Sequence, residues 1–295
     1  MSIPADVPSR KIGVKELRKA FWDRAEKSAC TIFRWVLRAK SQDMTEAVKT
    51  RPALILAPHA DDETLGCGGI IALKRQAGTQ VTVAIATDGS ASHRHERWLT
   101  TTKEQLIALR EVETRTACEA LGMSPEGVRF LGFKDSELAN QVADLSEAIL
   151  ALIRQTQPRE VYVCAEVDGH PDHVALAQAA HLAMQNLSDP RVDLFEYPVW
   201  SFDFRSWRHQ GKTNTLGFLF GVRDMMRTAF SWRMRSVSIG PVLRIKTEAL
   251  YAHRSQLGDY PQEPHWSGLP DAFLDHFLRN TETFRHVPPV QKGSE

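Results

Sequence analysis

The sequence predicts an α/β, Rossmann-like fold: a mostly parallel sheet with helices on both faces, preceded by an N-terminal helical extension. Three observations carry that expectation. From residue 52 onward, short apolar, β-prone runs alternate with stretches of helical periodicity, the pattern of a parallel sheet covered on both sides. Two clusters of His and Asp stand directly behind two of the apolar runs, where open α/β sheets place their ligands. The apolar fraction of 42% and charged fraction of 25% are those of an ordinary globular protein, and 295 residues can bury a core of normal size.

Residues 11–40 read as a helix, because Leu17, Phe21, Ala25, Ala29, Phe33 and Leu37 recur at roughly helical spacing between basic residues. Asp23, Arg24, Glu26 and Lys27 interrupt it, so it cannot span a bilayer. It is either a helix packed on the domain or a basic amphipathic helix lying on an anionic membrane surface. Ala53–Ala57 then reads as a strand, Gly66–Gln76 as a helix, and Gln80–Thr87 as a strand ending at Asp88-Gly89. Lys103–Leu121 is a helix stopped by Gly122, Val128–Leu131 a short strand, and Gln141–Gln157 a helix halted by Pro158. Glu160–Ala165 is a strand, His173–Asn186 a helix, and Val192–Tyr197 a last strand ended by Pro198.

Residues 199–240 break this rhythm. Trp200, Phe202, Phe204, Trp207, Phe218, Phe220, Phe230 and Trp232 are interleaved with Arg205, Arg208, Arg223, Arg227, Arg233 and Arg235. That mixture suits sugar faces, phosphates or a membrane interface, and the segment reads as a cap or insertion over the strand ends. Plain core packing beneath a solvated basic face is the other reading. Lys246–Gln256 and Pro270–Arg279 read as helices. The expected organisation is an extension over 1–48, a domain over 49–285 and a flexible tail over 286–295.

Net charge is +1, but residues 1–50 carry eleven Lys/Arg against six Asp/Glu, and residues 200–240 seven against two. Peripheral membrane contact through 11–40 and 199–240 is therefore an expectation; a nucleic-acid partner is not. The four cysteines form no CxxC pair, and neither a secretory signal nor a membrane span is visible. Together these suggest a cytoplasmic protein.

The chemistry-bearing residues are His59-Ala60-Asp61-Asp62-Glu63 and His170-Pro171-Asp172-His173. A hydrolytic zinc site takes three His or carboxylate ligands and leaves one position open. His59 and Asp62, three apart on a strand-to-helix turn, can point at one centre, and His173 can supply the third ligand. Asp61 must project differently from its neighbour, which makes it the candidate general base. His170 is placed to stabilise an oxyanion or protonate a departing amine, and Asp172 to orient an imidazole. Zn2+ is the expected ion, with Fe2+ able to use the same donors. Ligands alone leave the class open, since phosphoesterases also use His and Asp.

Weaker signals surround these motifs. Gly66-x-Gly68-Gly69 departs from a dinucleotide loop and reads as glycines that let a helix approach the sheet. His93-Arg94-His95-Glu96 is a second-metal candidate or a solvated loop, and Asp88 a substrate contact or supporting carboxylate. His181, Trp98 and His265-Trp266 read as surface, core or rim.

The pattern resembles the LmbE-like, or PIG-L, family of zinc-dependent N-deacetylases. Its strand followed by His-Pro-Asp-Asp-Glu is similar to residues 59–63, with continuation Thr64-Leu65-Gly66-Cys67-Gly68-Gly69, and its His-Pro-Asp-His stands unchanged at 170–173. Thr87-Asp88-Gly89-Ser90-Ala91-Ser92-His93, Arg110-x-x-Glu113 before Leu121-Gly122, and Lys246-x-x-Ala249-Leu250-x-x-His253-x-Ser255-Gln256 also resemble family segments. The likeness covers about residues 50–258. Ala60 replaces the usual proline, which ligates nothing. The resemblance implies His59, Asp62 and His173 as ligands, Asp61 as base and His170 as electrostatic or acid partner. It implies Arg110 as the holder of substrate hydroxyls or a phosphate and His253 as a residue that closes the site, and Asp88 and His93 are expected at the substrate as well. The implied reaction is removal of acetyl from an N-acetylglucosamine-type sugar in a glycoconjugate. The rivals are hydrolysis of a non-sugar amide or ester at the same site, and an inactive glycan- or lipid-binding accessory protein.

Overall fold

The computed structural model describes residues 14–92, 100–187, 189, 191–208 and 215–288. In chain order these form α1 (Val14–Ala39), β1 (Gln42–Asp43), α2 (Thr45–Val48), β2 (Ala53–Ala57), α3 (Asp62–Gln76), β3 (Val81–Thr87) and α4 (Lys103–Ala120). There follow β4 (Val128–Phe133), α5 (Val142–Thr156), β5 (Glu160–Cys164), α6 (Pro171–Asn186) and β6 (Asp193–Tyr197). The C-terminal part adds α7 (Thr215–Ser231), β7 (Met234–Ser238), α8 (Leu243–Ala252), α9 (Asp271–Leu274) and β8 (Thr281–Val287). The fold is α/β, as the alternation implies.

One eight-stranded sheet runs β1-β7-β8-β6-β5-β2-β3-β4. Every pairing is parallel except those of β8, which lies antiparallel between β6 and β7. Strands β2, β3 and β5 are buried at every position, as strands covered on both faces must be. The chain leaves β2 toward β3 and β4, then returns to place β5 on the other side of β2. The crevice beyond the C-terminal ends of β2 and β5 is thus the topological switch point.

Local chemistry sets the helices around it. Thr102 and Gln105 form a capping box that starts α4. Pro171 opens α6, where a missing N–H costs nothing. Helix α3 starts at Asp62, four residues before the expected Gly66, so Asp62 and Glu63 occupy its first turn. There the carboxylates meet the positive end of the helix dipole. Its glycines permit close approach: a Cβ on Gly66 would meet the Tyr197 ring at 2.1 Å, and one on Gly69 would meet Ile239 at 2.5 Å.

The structure corrects five boundaries. Tyr197 does not end the sheet, because β7 and β8 extend it. Residues 199–240 are not a cap alone: two short 3-10 turns lead to α7, and β7 is a sheet strand. Of Lys246–Gln256 only the part to Ala252 is helical, and of Pro270–Arg279 only α9. Strand β8 runs through Val287, past the expected boundary at 285.

Helix α1 shares the core through Ala29, Cys30, Phe33 and Leu37, with the Phe33 ring 5.3 Å from that of Trp207. Leu17 and Phe21, read as the same stripe, are exposed. A strict i+4 spacing drifts by about 40° per step around a helix of 3.6 residues per turn, so the six positions pass from the outer to the inner face. No helix of the described residues is long and apolar enough to cross a membrane.

Candidate active site

Strand β2 ends at Ala57 and delivers His59, Asp61 and Asp62 into the switch-point crevice; β5 delivers Asp168, His170, Asp172 and His173 opposite them. One carboxylate oxygen joins the two sides. Asp62 Oδ2 lies 3.3 Å from His59 Nδ1 and 3.3 Å from His173 Nε2, and accepts the His59 backbone N–H at 3.2 Å. The imidazole of His59 is held from its other nitrogen, with Nε2 3.1 Å from Asp172 Oδ2 and 3.5 Å from Asp135 Oδ1. His173 Nδ1 faces Asp168 Oδ2 at 3.0 Å. Asp168 itself accepts the backbone N–H groups of Val199 and Ser201, which fixes its carboxylate.

His173 is fully buried, and its Nε2 makes no hydrogen bond. Leaving a buried polar atom without a partner costs on the order of 1–3 kcal/mol. Burial works against a charged His173, yet Asp62 and the contact with Asp168 carry the imidazole well above its usual value, so a cation bound at Nε2 would take the place of a proton there. Two imidazoles and a carboxylate around an orphaned nitrogen are a donor set that fits a borderline divalent cation. Ligand-capable atoms of His59, His170 and His173 also lie within 4.8 Å of one another, as do those of His59, Asp135 and Asp172.

Asp61 caps α3 with φ 115°, a backbone conformation that side-chain-bearing residues seldom adopt. Strain of this kind costs on the order of 1–3 kcal/mol and collects at functional sites. Glu63 Oε2 accepts the Asp61 N–H at 3.0 Å and helps hold the turn. Burial and then the Asp62 charge push the Asp61 carboxyl up to about 8, against the opposing pull of His253 and Arg110. Burial of His59 works against its charge, yet hydrogen bonds to Asp135, Asp172 and Asp62 carry it well above the usual imidazole value. Burial, then His59 and His173, bring His170 down to about 4, so it stands neutral. Its Nδ1 accepts the Asp172 N–H at 3.3 Å, which leaves the proton on Nε2.

A cleft of about 270 Å³ opens over these groups, lined by His59, Asp61, His170, Trp200, Gln256 and Leu269 among others. Asp62 lines it too, whereas Arg110, His253 and Asp88 fall outside that lining. Arg110 is buried and donates to Gly89 O at 3.1 Å and Gln256 Oε1 at 2.7 Å, while its Nε makes no hydrogen bond. Gln256 in turn donates to Ala60 O at 2.8 Å, so the pair braces the motif loop from behind. His253 Nε2 lies 3.0 Å from Glu63 Oε1, beneath the same loop. Asp88 Oδ1 accepts the N–H groups of Ser90 and Asp135 and ties two loops together. His93, with the rest of 93–99 including Trp98, lies outside the described residues. His181 pairs with Glu196 at 2.9 Å.

Sequence reasoning missed Asp135 and Asp168. Asp168 had a usable signal, an acidic residue two positions before His170. Asp135 follows β4 as a lone carboxylate and had none, because only the parallel neighbour β3 brings that strand end to β2.

Fold and site together define a protein with a His/Asp cluster able to hold a metal at the switch point of an α/β sheet. Residues 54–184 match the PIG-L family, described as GlcNAc-PI de-N-acetylase. It is 32% identical over 139 residues to a probable N-acetyl-alpha-D-glucosaminyl L-malate deacetylase 2 of Bacillus cereus, covering 46% of this chain and 62% of that protein. A Bacillus subtilis relative of the same description is covered over 59% of its length, so the chain spans less than two thirds of either. A 1D-myo-inositol 2-acetamido-2-deoxy-alpha-D-glucopyranoside deacetylase of Mycobacteroides abscessus is 26% identical over 278 residues, covering 83% of this chain and 96% of that one. The fold is similar to that of N,N'-diacetylchitobiose deacetylase from Pyrococcus horikoshii, with TM-score 0.56, 20% identity, and coverage of 81% of this chain and 85% of that one.

Proposed function

We propose that this chain is a metal-dependent amide hydrolase that removes the acetyl group from an N-acetylated amino sugar of the N-acetylglucosamine type in a glycoconjugate. The observation that carries the reading is the meeting of His59, Asp62 and His173 at one carboxylate oxygen, with Asp61 beside them and unshared. The names of the relatives, deacetylases of N-acetylglucosaminyl malate and inositol compounds, point to the same substrate class.

His59, Asp62 and His173 would hold Zn2+, with Fe2+ as the other ion these donors suit. When bound, the ion supplies Lewis acidity that polarises the acetamide carbonyl and makes water easier to deprotonate. Asp61 lines the cleft, takes the proton of the attacking water and later delivers it to the departing amine. His170, neutral with its proton on Nε2, donates to the oxyanion that forms on the carbonyl oxygen. Asp168 and Asp172 keep the imidazoles of His173 and His59 aimed. Trp200, stacked on Phe273 with centroids 4.7 Å apart, is a fixed apolar wall for a sugar ring. The four buried cysteines are all free thiols, which suits a reducing cytoplasm.

The test is acetate release from N-acetylglucosamine glycosides, nucleotide sugars and lipid-linked sugars by protein loaded with Zn2+ or Fe2+. Release from at least one class, abolished by a chelator and restored by the ion, is expected. Stoichiometric metal with no acetate from any of them would sink the proposal.

A further inference from the structure

Seven of the ten large apolar side chains that stand exposed among the described residues belong to two helices: Leu17, Phe21, Ile32 and Trp35 of α1, and Leu216, Leu219 and Phe230 of α7. Phe21, Trp35 and Phe230 are 64%, 69% and 70% exposed. Concentration of this kind marks an interaction surface, where scattered single residues would not. The helices lie side by side: the Trp22 ring sits 5.4 Å from that of Phe218 near their N-termini, and Lys40 Nζ just past the end of α1 bonds Ala229 O and Phe230 O.

Charge on these faces selects the occupant. Around α1 the four apolar side chains fall within about 60° of arc, on the side away from buried Phe33 and Leu37. Arg24 and Arg38 line one edge of that arc, no carboxylate falls in it, and neither arginine has an ion-pair partner among the described residues. On α7, Arg223 and Arg227 are interleaved with Leu216, Leu219 and Phe230; Arg223 pairs with Asp224 at the edge of the face. Beside α1 a groove of about 240 Å³ gathers Arg34, Arg38 and Arg279. Arg34 donates to His276 Nδ1 at 3.0 Å, and Arg279 to the Asp275 carbonyl at 2.8 Å, neither to a carboxylate. Asp275 stands nearby, and Glu282 in the groove wall is already held by Lys246. Apolar side chains set among arginines repel a second copy of the same face, because like charges would meet. They complement a plane of anionic headgroups over hydrocarbon.

We infer that the outer faces of α1 and α7 seat this protein on an anionic lipid bilayer, with Phe21, Trp35 and Phe230 entering the headgroup–acyl boundary. Arg24, Arg38 and Arg227 meet lipid phosphates, and the stems of these arginines lie along the apolar stripe. Binding needs neither metal nor substrate, so it stands or falls apart from the hydrolase reading.

The experiment is co-flotation of the full chain with phosphatidylcholine vesicles, with and without about a third phosphatidylglycerol, at low and raised salt. Binding to the anionic vesicles that weakens as salt rises is expected, with little binding to phosphatidylcholine alone. Phe21→Glu with Trp35→Glu should lower partitioning by about tenfold or more, with the thermal midpoint unchanged because both side chains are exposed. Arg24→Gln with Arg38→Gln should remove most of the preference for phosphatidylglycerol. No binding to anionic vesicles at low salt would overturn the inference. So would unchanged binding in both variants, or a dimer in solution that the Phe21/Trp35 variant dissolves.

Discussion

Two buried ionic clusters sit at opposite ends of the same strands, and they are built differently. At the N-terminal end of β5, Lys74 Nζ is fully enclosed and fully used, bonding Glu160 Oε2 at 2.6 Å and the carbonyls of Val48 and Arg51 at 2.7 Å each. Glu160 also accepts from the Tyr162 hydroxyl at 2.9 Å and meets Arg51 at 3.3 Å. At the C-terminal end, three carboxylates crowd His59, the backbone of Asp61 is strained, and His173 Nε2 has no partner. The first cluster satisfies every group and joins α3 to the sheet. The second leaves charge and lone pairs unspent. Buried charge serves the fold when its partners are complete, and is available for chemistry when they are not.

Breaking the second cluster should cost activity without stability. Asp61→Asn keeps the volume and removes the proton acceptor, and Asn tolerates positive φ better than most residues. Acetate release should fall about 10³-fold, with bound metal and thermal midpoint retained. Wild-type turnover in a verified Asp61→Asn protein would end the assignment of Asp61 as base.

Breaking the first cluster should do the reverse. Lys74→Met leaves Glu160 with only Arg51 and the Tyr162 hydroxyl and orphans the Val48 and Arg51 carbonyls, and removing one partner of a buried pair costs about 3–5 kcal/mol. Chemical unfolding measures that loss, and turnover per folded molecule should stay near wild type. Adding Glu160→Gln removes the stranded charge and should recover at least half of the loss. A lone Lys74→Met variant as stable as wild type would show that the cluster carries no such role.

The same contrast explains what the sequence made legible. Strands β2 to β6 and the helices between them announce themselves through local runs and punctuation, and the two His/Asp motifs sit at the strand ends the alternation implies. Strands β7 and β8 carry polar and charged residues among the apolar ones, and β8 is read as sheet only once it pairs antiparallel between β6 and β7. That pairing is non-local, and periodicity does not encode it. Ligand-type residues were visible because their motifs are compact. Their supports, Asp135 from β4 and Asp168 before His170, depend on which strand ends become neighbours. The resemblance implies Arg110 as a substrate contact, and the motif does not reveal that Gly89 and Gln256 take two of its nitrogens.

A half-buried group lies outside both clusters and sharpens the comparison through pH. Burial, then Arg34 and Arg279, bring His276 down to about 4; its ring stacks on Phe202 with centroids 5.6 Å apart, while Nδ1 faces Arg34. An imidazole whose folded value lies below its unfolded value of about 6.5 gives stability that is complete above pH 6.5. That stability is lost as pH falls through about 4. His170 follows the same sign, and the carboxylates around His59, held below their usual values, keep their contribution until lower pH. These two imidazoles should therefore lower the thermal midpoint of metal-free protein between pH 6.5 and 4, a drop that Asp61, with its carboxyl raised to about 8, opposes. His276→Asn keeps an acceptor toward Arg34 but cannot titrate, and should remove on the order of a few degrees of that drop. An identical midpoint-versus-pH curve in the variant would leave the acid sensitivity with the switch-point cluster, and would place His276 among groups whose charge the groove tolerates.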